Sequence, residues 1–258
     1  MKPKMRPPTQ AELDCERLYS TLIICTPAPP DFTAEDYLRK YAQGYFVHED
    51  ERDLMIMCGQ IRENIPIPSR MPSDAKEAVK RGNYRVSTNR AFETVMNRCA
   101  KLRKTLTYKG EPYTENDLWI RGKTKAILRG LYLFKHAHSI EVWQGTALVG
   151  GALLLQIGGC IVSLSLFGDM PGAAKVAAAT LQQIMPKQGF SWCDCVTPSN
   201  SSRAFGSHLV TLSYDLEHRY AAIQKNVEFP NLPVKPFMEH FPNLIQRGFN
   251  SEMHKINH

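Results

Sequence analysis

Two pairs of residues in this sequence have the types and the spacing to grip a metal ion: His136 and His138 in HAHSIEVW, and Cys193 and Cys195 in FSWCDCV. Residues two apart on a strand project to the same face, so each pair can chelate, and imidazole with thiolate is a zinc donor set. The interval between the pairs matches no standard zinc arrangement, and zinc-binding cysteines are usually spaced Cys-x2-Cys on a loop. The plain alternative is that His136 closes a helix, where its charge complements the helix dipole, and that the two cysteines pack. A nucleophilic role for either cysteine runs against Asp194 between them, because a neighbouring carboxylate raises a thiol's pKa. Gly-x-Ser-x-Gly, Gly-x-x-x-x-Gly-Lys-Ser/Thr and Gly-x-Gly-x-x-Gly do not occur. Gly150-Gly151 and Gly158-Gly159 lack the strand-to-helix context of a phosphate loop, so tight turns and close packing account for them better.

A third constellation is basic. In SDAKEAVKRGNYR, Lys76 and Lys80 stand four apart on one helical face, and Arg81 and Arg85 continue the row. Such a row can track phosphates, although a solvated helix face has the same pattern. The net charge of +7 points the same way, towards anionic partners such as RNA. With 258 residues, 43% hydrophobic and 22% charged, the chain is long enough for one large globular domain or two small ones. The seven cysteines are odd in number, scattered, and mostly set in apolar stretches such as LIICTP and MIMCGQ, which predicts reduced thiols. No run approaches the roughly 20 apolar residues of a membrane span. The opening MKPKMRPPTQAELDCER has no apolar signal-peptide core and is too acidic after Glu12 for a typical transit peptide, so a cytoplasmic protein is expected, with a mitochondrial or other organellar one as the alternative.

The elements that would position these residues change character along the chain. A proline-rich loop, TPAPPDFT, precedes a short helix from about Thr33 to Gln43, with Thr33 and Asp36 outlining a capping box. A second helix is expected at SDAKEAVKRG with Ser73 as cap. A third is expected at TNRAFETVMNRCAKL, with Phe92, Val95, Met96 and Cys99 on one face, and a fourth through DLWIRGKTKAILRGLYLF capped by Asn116. SIEVWQGTALVGGALLLQIGGCIVSLSLF then predicts consecutive strands turned at Gln144-Gly145-Thr146 and Gly158-Gly159. An alanine-rich helix follows, with Ala173, Val176, Ala177, Leu181 and Ile184 as its apolar stripe and Gly189 as its terminator, and then the short strand FSWCDCV. Helices followed by β-β-β-α-β imply an antiparallel sheet packed by helices, an α+β fold. The proline-punctuated, aromatic tail from about Asn226 is too broken to make a core of its own and should wrap the surface or meet a partner.

Taken together, these stretches resemble the leucyl/phenylalanyl-tRNA–protein transferase family. HAHSIEVW followed by LVGG is the most specific part. YLRKYAQGYF, RVSTNRAFETVMNRCA, Trp119-Ile120, AAKVAA and GFSWCDC continue the resemblance in order over about 190 residues, from near Phe32 to near Tyr220. On this resemblance His136 and His138 belong to a helix-to-strand junction and no metal is bound. The resemblance implies a small N-terminal helical or mixed region (1–72), an acetyltransferase-like (GNAT) antiparallel-sheet domain with its basic helical lead-in (73–225), and the tail (226–258). It also implies a reaction: transfer of Leu, Phe or Met from aminoacyl-tRNA to the N-terminal Arg or Lys of a protein, marking it for degradation, without cofactor.

Carried over residue by residue, the resemblance makes Asp194 the catalytic strand aspartate that orients the attacking amine. Trp119 becomes the aromatic on which the terminal adenosine packs, and Lys76, Lys80, Arg81 and Arg85 fall in the tRNA-contacting region. Ala152, Ile161, Leu166, Leu181 and Cys195 become the walls of the aminoacyl side-chain pocket. Three positions depart from the family pattern. The glutamine after Asp-Cys is Val196, the glutamate of Gly-Glu-Ser-Met-Phe is Leu164, and the second aromatic, in Phe-Pro-Trp, is His48 in Phe46-Val47-His48. The departures admit a second reading, a catalytically inactive relative that serves as a structural or assembly subunit of a larger RNA-containing or organellar complex, reached through the C-terminal tail. A third reading is a different acyltransferase on the same fold, against which this chain shows no glycine-rich loop for an acyl-CoA pyrophosphate, only the helix N-terminus in DMPGAAKVA.

Overall fold

A computed structural model of the chain describes residues 24–51, 53–81, 83–101, 104–108, 111–115, 119–196 and 200–242. The first unit is a three-stranded antiparallel sheet, ordered β1-β3-β2, of β1 (Ile24–Pro27), β2 (Phe46–Glu49) and β3 (Leu54–Cys58), with α1 (Ala34–Ala42) between its first two strands. The expected capping box is present: Thr33 accepts from the backbone N–H of Asp36, and Asp36 accepts in return from Thr33. A two-stranded ribbon, β6 (Lys104–Tyr108) with β7 (Glu111–Glu115), forms a separate sheet.

The central sheet has eight strands in the order β12-β4-β11-β10-β9-β8-β5-β13. Its middle is the run predicted from SIEVWQGTALVGGALLLQIGGCIVSLSLF: β8 (Ala137–Gln144), β9 (Ala147–Ile157) and β10 (Cys160–Gly168), joined by hairpins. Around it stand β4 (Ile61–Asn64), β5 (Arg85–Thr88), β11 (Trp192–Asp194), β12 (His208–Thr211) and β13 (Lys235–Pro236). The sheet is mixed and not wholly antiparallel, because β11 runs parallel to β10. A strand that returns through a helix enters the sheet in its original direction, and α5 (Ala173–Gln188) supplies that crossover.

Alternation of side chains along the strands divides the core in two. On one face, Ile140, Val142, Ala152, Leu154, Ile161 and Cys193 meet the predicted stripe of α5, with α2 (Ser73–Arg81) beside it. On the other, Leu153, Leu155, Cys160, Val162 and Trp192 meet α1, α3 (Phe92–Cys99) and α4 (Gly122–Leu133). The expected face of α3 (Phe92, Val95, Met96 and Cys99) is wholly buried there. Glycine is required where the hairpin and helix come close. At Gly158, with φ at +55°, a Cβ would sit 2.2 Å from the Ile223 carbonyl oxygen, and at Gly150 it would sit 2.8 Å from the Ala173 Cβ.

Three further expectations are corrected. α4 begins at Gly122 and not near Asn116, which lies outside the described residues; the Glu49 carboxylate of β2 accepts from the backbone N–H groups of Lys123 (3.0 Å) and Thr124 (2.8 Å) and so caps the helix from a distant strand. The basic row breaks after α2, since Arg85 lies on β5 and bonds the Gly145 carbonyl in the β8–β9 turn, while Arg81 pairs with Glu77 at 2.7 Å. The tail does more than wrap the surface: β13 pairs with β5, and Phe229, Phe237 and Phe241 are buried in the α5-side core. α6 (Asn200–Ala204), α7 (Leu212–Ile223) and α8 (Phe237–His240) complete the described elements. Among the described residues no helix is long and apolar enough to cross a membrane.

Candidate active site

The parallel pairing of β10 with β11 covers Cys160–Trp192, Ile161–Cys193 and Val162–Asp194. β10 then runs on along β9 to Gly168, whereas the chain after Asp194 leans towards β4, where the Cys195 N–H donates to the Glu63 carbonyl at 2.8 Å. The two strands part at that point. Cys160, Ile161 and Val162 are fully buried, whereas Ser163, Leu164, Ser165 and Leu166 across the opening from Cys195 and Val196 are half-buried, as are the latter two. β10 carries a bulge here, with Leu164 as the extra residue between Ser163 and Ser165, and the bulge turns Leu166 towards the α5 side.

Asp194 is the last paired residue of β11 where the strands part, and it has no solvent exposure. Its carboxylate accepts from Arg62 of β4, from Arg219 Nη2 of α7 at 2.8 Å, and from the Val196 N–H at 2.8 Å. Arg219 donates as well to Asp215 through Nε (2.9 Å) and Nη2 (2.8 Å), and to the Tyr41 carbonyl at 3.1 Å. Asp215 in turn accepts from Trp192 Nε1 (2.8 Å) and Asn64 Nδ2 (3.2 Å). Burial opposes the charge on Asp194, but Arg62 and Arg219 outweigh it and hold the carboxyl below its usual range. Val196 has φ at +61°, the left-handed region that a β-branched residue rarely enters, at a cost of about 1–3 kcal/mol.

The sequence-predicted residues fall into separate groups. Ala152, Ile161 and Leu181 lie in the α5-side core, with Leu166 and Cys195 packed against it. Trp119 is half-buried on the opposite side, in the cluster that also holds Leu164 and Val196. Asp194 shares strand parity with Trp192 and so faces that second side, with the sheet itself between it and the expected pocket residues. Lys76 is half-buried and Lys80 exposed on α2. His138 is no exposed ligand: it stacks on Phe229 with ring centroids 4.3 Å apart, and burial pushes its pKa down to about 4. A bond from the Cys193 thiol, together with burial, keeps the Cys195 thiol well above its ordinary range, as expected for packing cysteines.

Arg62, Asp215 and Arg219 were not legible as site residues. Asp215 and Arg219 stand four apart on a helix, a spacing that usually marks a surface ion pair, and Arg62 sits in IREN beside other polar residues. Neither stretch carries a local signal of burial, because Asp215 and Arg219 are charged residues of the mixed sequence LSYDLEHRYAAI and Arg62 of the polar IREN.

The profile of the leucyl/phenylalanyl-tRNA protein transferase family matches residues 66–216, which include this cleft. The chain belongs to that family. Among similar proteins, the leucyl/phenylalanyl-tRNA–protein transferase of Shewanella baltica is 30% identical over 208 residues, which is 80% of this chain and 81% of the relative. Those of Nostoc punctiforme (31% over 173 residues, 66% of this chain and 84% of the relative) and Chlorobaculum parvum (32% over 163 residues, 62% and 79%) carry the same name. Within this transferase family's pattern, two of the three departures noted in the sequence, Leu164 and Val196, are apolar and occupy one cluster. His48 lies on β2, next to Val47, whose N–H donates to the Tyr41 hydroxyl at 3.4 Å.

Proposed function

We propose that this protein transfers Leu, Phe or Met from aminoacyl-tRNA to the N-terminal Arg or Lys of an acceptor protein. The observation that carries the reading is the cleft where β10 and β11 part, at the Asp194-Cys195-Val196 segment of a chain in this transferase family. Parting parallel strands beside a crossover helix also support an acetyltransferase-like (GNAT) core over residues 73–225, to which the 1–72 region contributes β4 and the 226–258 tail contributes β13. The reaction is ester aminolysis. The acceptor's amine nitrogen bonds to the aminoacyl carbonyl carbon, the carbon–oxygen bond to the ribose breaks, and the nitrogen's proton ends on the ribose hydroxyl.

In this reading Asp194 sets the geometry of the cleft and Trp119 supports the terminal adenosine, a stacking worth about 1–3 kcal/mol. Lys76, Lys80, Arg81 and Arg85 meet the tRNA backbone, and Ala152, Ile161, Leu166, Leu181 and Cys195 surround the aminoacyl side chain. Cytoplasmic action, where charged tRNA is available, belongs to the same proposal. The test is incubation with labelled Leu-, Phe- or Met-tRNA and peptides beginning with Arg, Lys or Ala. Label should pass to the Arg and Lys peptides alone, and no transfer to either would overturn the reading. Reversing the charge of Lys76 and Lys80 should flatten the salt dependence of tRNA binding.

A further inference from the structure

The buried charges around Asp194 form a connected set whose members come from three separate parts of the chain. Arg62 is on β4, Asp194 on β11, and Asp215 and Arg219 on α7, and all four have no solvent exposure. The set reaches the first unit as well, for Arg219 holds the Tyr41 carbonyl at the end of α1 and the Arg62 guanidinium lies 5.5 Å from the centre of the Phe46 ring on β2. In the other direction it ends on Val196, whose strained backbone is fixed by the bond from its N–H to Asp194.

We propose that Arg62 and Arg219 are positioning residues of the transfer site: they clamp the Asp194 carboxylate, which thereby acts as a fixed anchor for the Val196 turn and not as the group that exchanges the reaction's proton. This rests on the transferase reading above. Two guanidinium groups and a backbone N–H occupy the carboxylate, and its burial removes the water through which a proton would travel. Among the described residues, the titratable groups that face the set from outside it include the thiol of Cys195, the Tyr41 phenol and the thiols of Cys58 and Cys160. Burial raises the last three, Cys160 to about 12, so they hold their protons through the neutral range. The acceptor amine then supplies its own ionisation, near pH 7.7–8.0 for an ordinary α-amino group, i.e. about 8.

The test uses the full chain, with Asp carboxyl carbons labelled for NMR and with kcat and KM measured from pH 5 to 9 on Leu-tRNA and an Arg peptide. In the parent the Asp194 signal should not titrate across that range, and activity should follow the amine alone. Arg62→Met removes one charge, so the carboxyl should begin to titrate and an acid limb should appear in kcat. Arg219→Lys keeps the charge but loses the fork, so kcat should fall by up to about 10²-fold, as expected for a misplaced site, without an acid limb. If Arg62→Met does not fold, the parent titration and Arg219→Lys decide the matter. A parent kcat that inflects together with the Asp194 signal overturns the proposal, as do variants with parental kcat and pH profile. A parent inactive at every pH overturns the transferase reading and this role with it, while the carboxyl titration, which needs no activity, shows separately whether the clamp exists.

Discussion

Under α5, the central sheet is faced by small and branched apolar side chains, and the helix answers with Ala173, Val176, Ala177, Leu181 and Ile184. Its buried carboxylate Glu63, which points away from Arg62 and Asn64 by strand alternation, is met by the hydroxyls of Ser202 (2.6 Å) and Ser207 (2.7 Å). The opposite face also has an apolar core, yet it buries Arg62, Asp194, Asp215 and Arg219, and it buries Glu49 and Glu141 at the starts of α4 and α3. The first face depends on burial, which is nondirectional and tolerates substitution of similar volume. The second depends on partners at fixed distances, where removing one leaves another charge stranded. The candidate active site lies at the edge where these two kinds of construction meet.

Breaking the charged set should produce the largest effect. Arg219→Met takes the arginine from Asp215 and one of the two arginines from Asp194, so urea unfolding should show a loss of roughly 3–5 kcal/mol. Leu181→Ala, on the apolar face, should cost roughly 2–5 kcal/mol by the same measurement, with the value set by how far α5 settles into the cavity. If Arg219→Met proves the milder of the two, the contrast between the faces is lost. A smaller effect is expected at Glu49, which caps α4 from another strand: Glu49→Ala should cost about 0.5–2 kcal/mol, read as a drop in Tm with the fold kept.

The smallest effect concerns pH and distinguishes two carboxylates on the same face. Burial raises Glu141, although Ser139, Ser87 and the backbone at Ala91 donate to it. Its contribution is therefore fully present below its unfolded pKa and is lost as pH rises through the higher folded value. Asp194 is lowered, so its contribution is present above the unfolded pKa and lost as pH falls through the lower folded value. Stability measured against pH should thus respond in opposite senses to Glu141→Gln and Asp194→Asn, each by no more than about 1.4 kcal/mol per pH unit. The Glu141 variant should lose the decline above the ordinary Glu range, and the Asp194 variant the decline on the acid side. Slopes of one sign in both variants would mean that the arginines do not hold Asp194.

The helices with internal signals were legible in the chain, while those capped from afar were not. Thr33 and Asp36 lie three residues apart and cap α1 through their own bonds, whereas α4 owes its start to Glu49, at a separation in sequence of 75 residues from Thr124. The family's cleft segment could be found from Asp194-Cys195-Val196, but its charged partners could not, because nothing near Asp194 in sequence indicates Arg62 or Arg219.

By itself the sequence determined the hairpins turned at Gly145 and Gly158, the buried face of α3, the apolar stripe of α5 and the motifs that mark the family. Each of these follows from backbone geometry repeated over a few residues, where period and turn chemistry decide the conformation. Tertiary structure alone decided that β4 enters the sheet between β12 and β11, that β10 bulges at Leu164, and that Asp194 is engaged by two arginines. The bond from Arg62 spans 132 positions, and that from Arg219 to the Tyr41 carbonyl spans 178. Local periodicity carries no information over such separations; these pairings form because a charge buried by the surrounding apolar packing is stable only where an opposite charge or a dipole meets it.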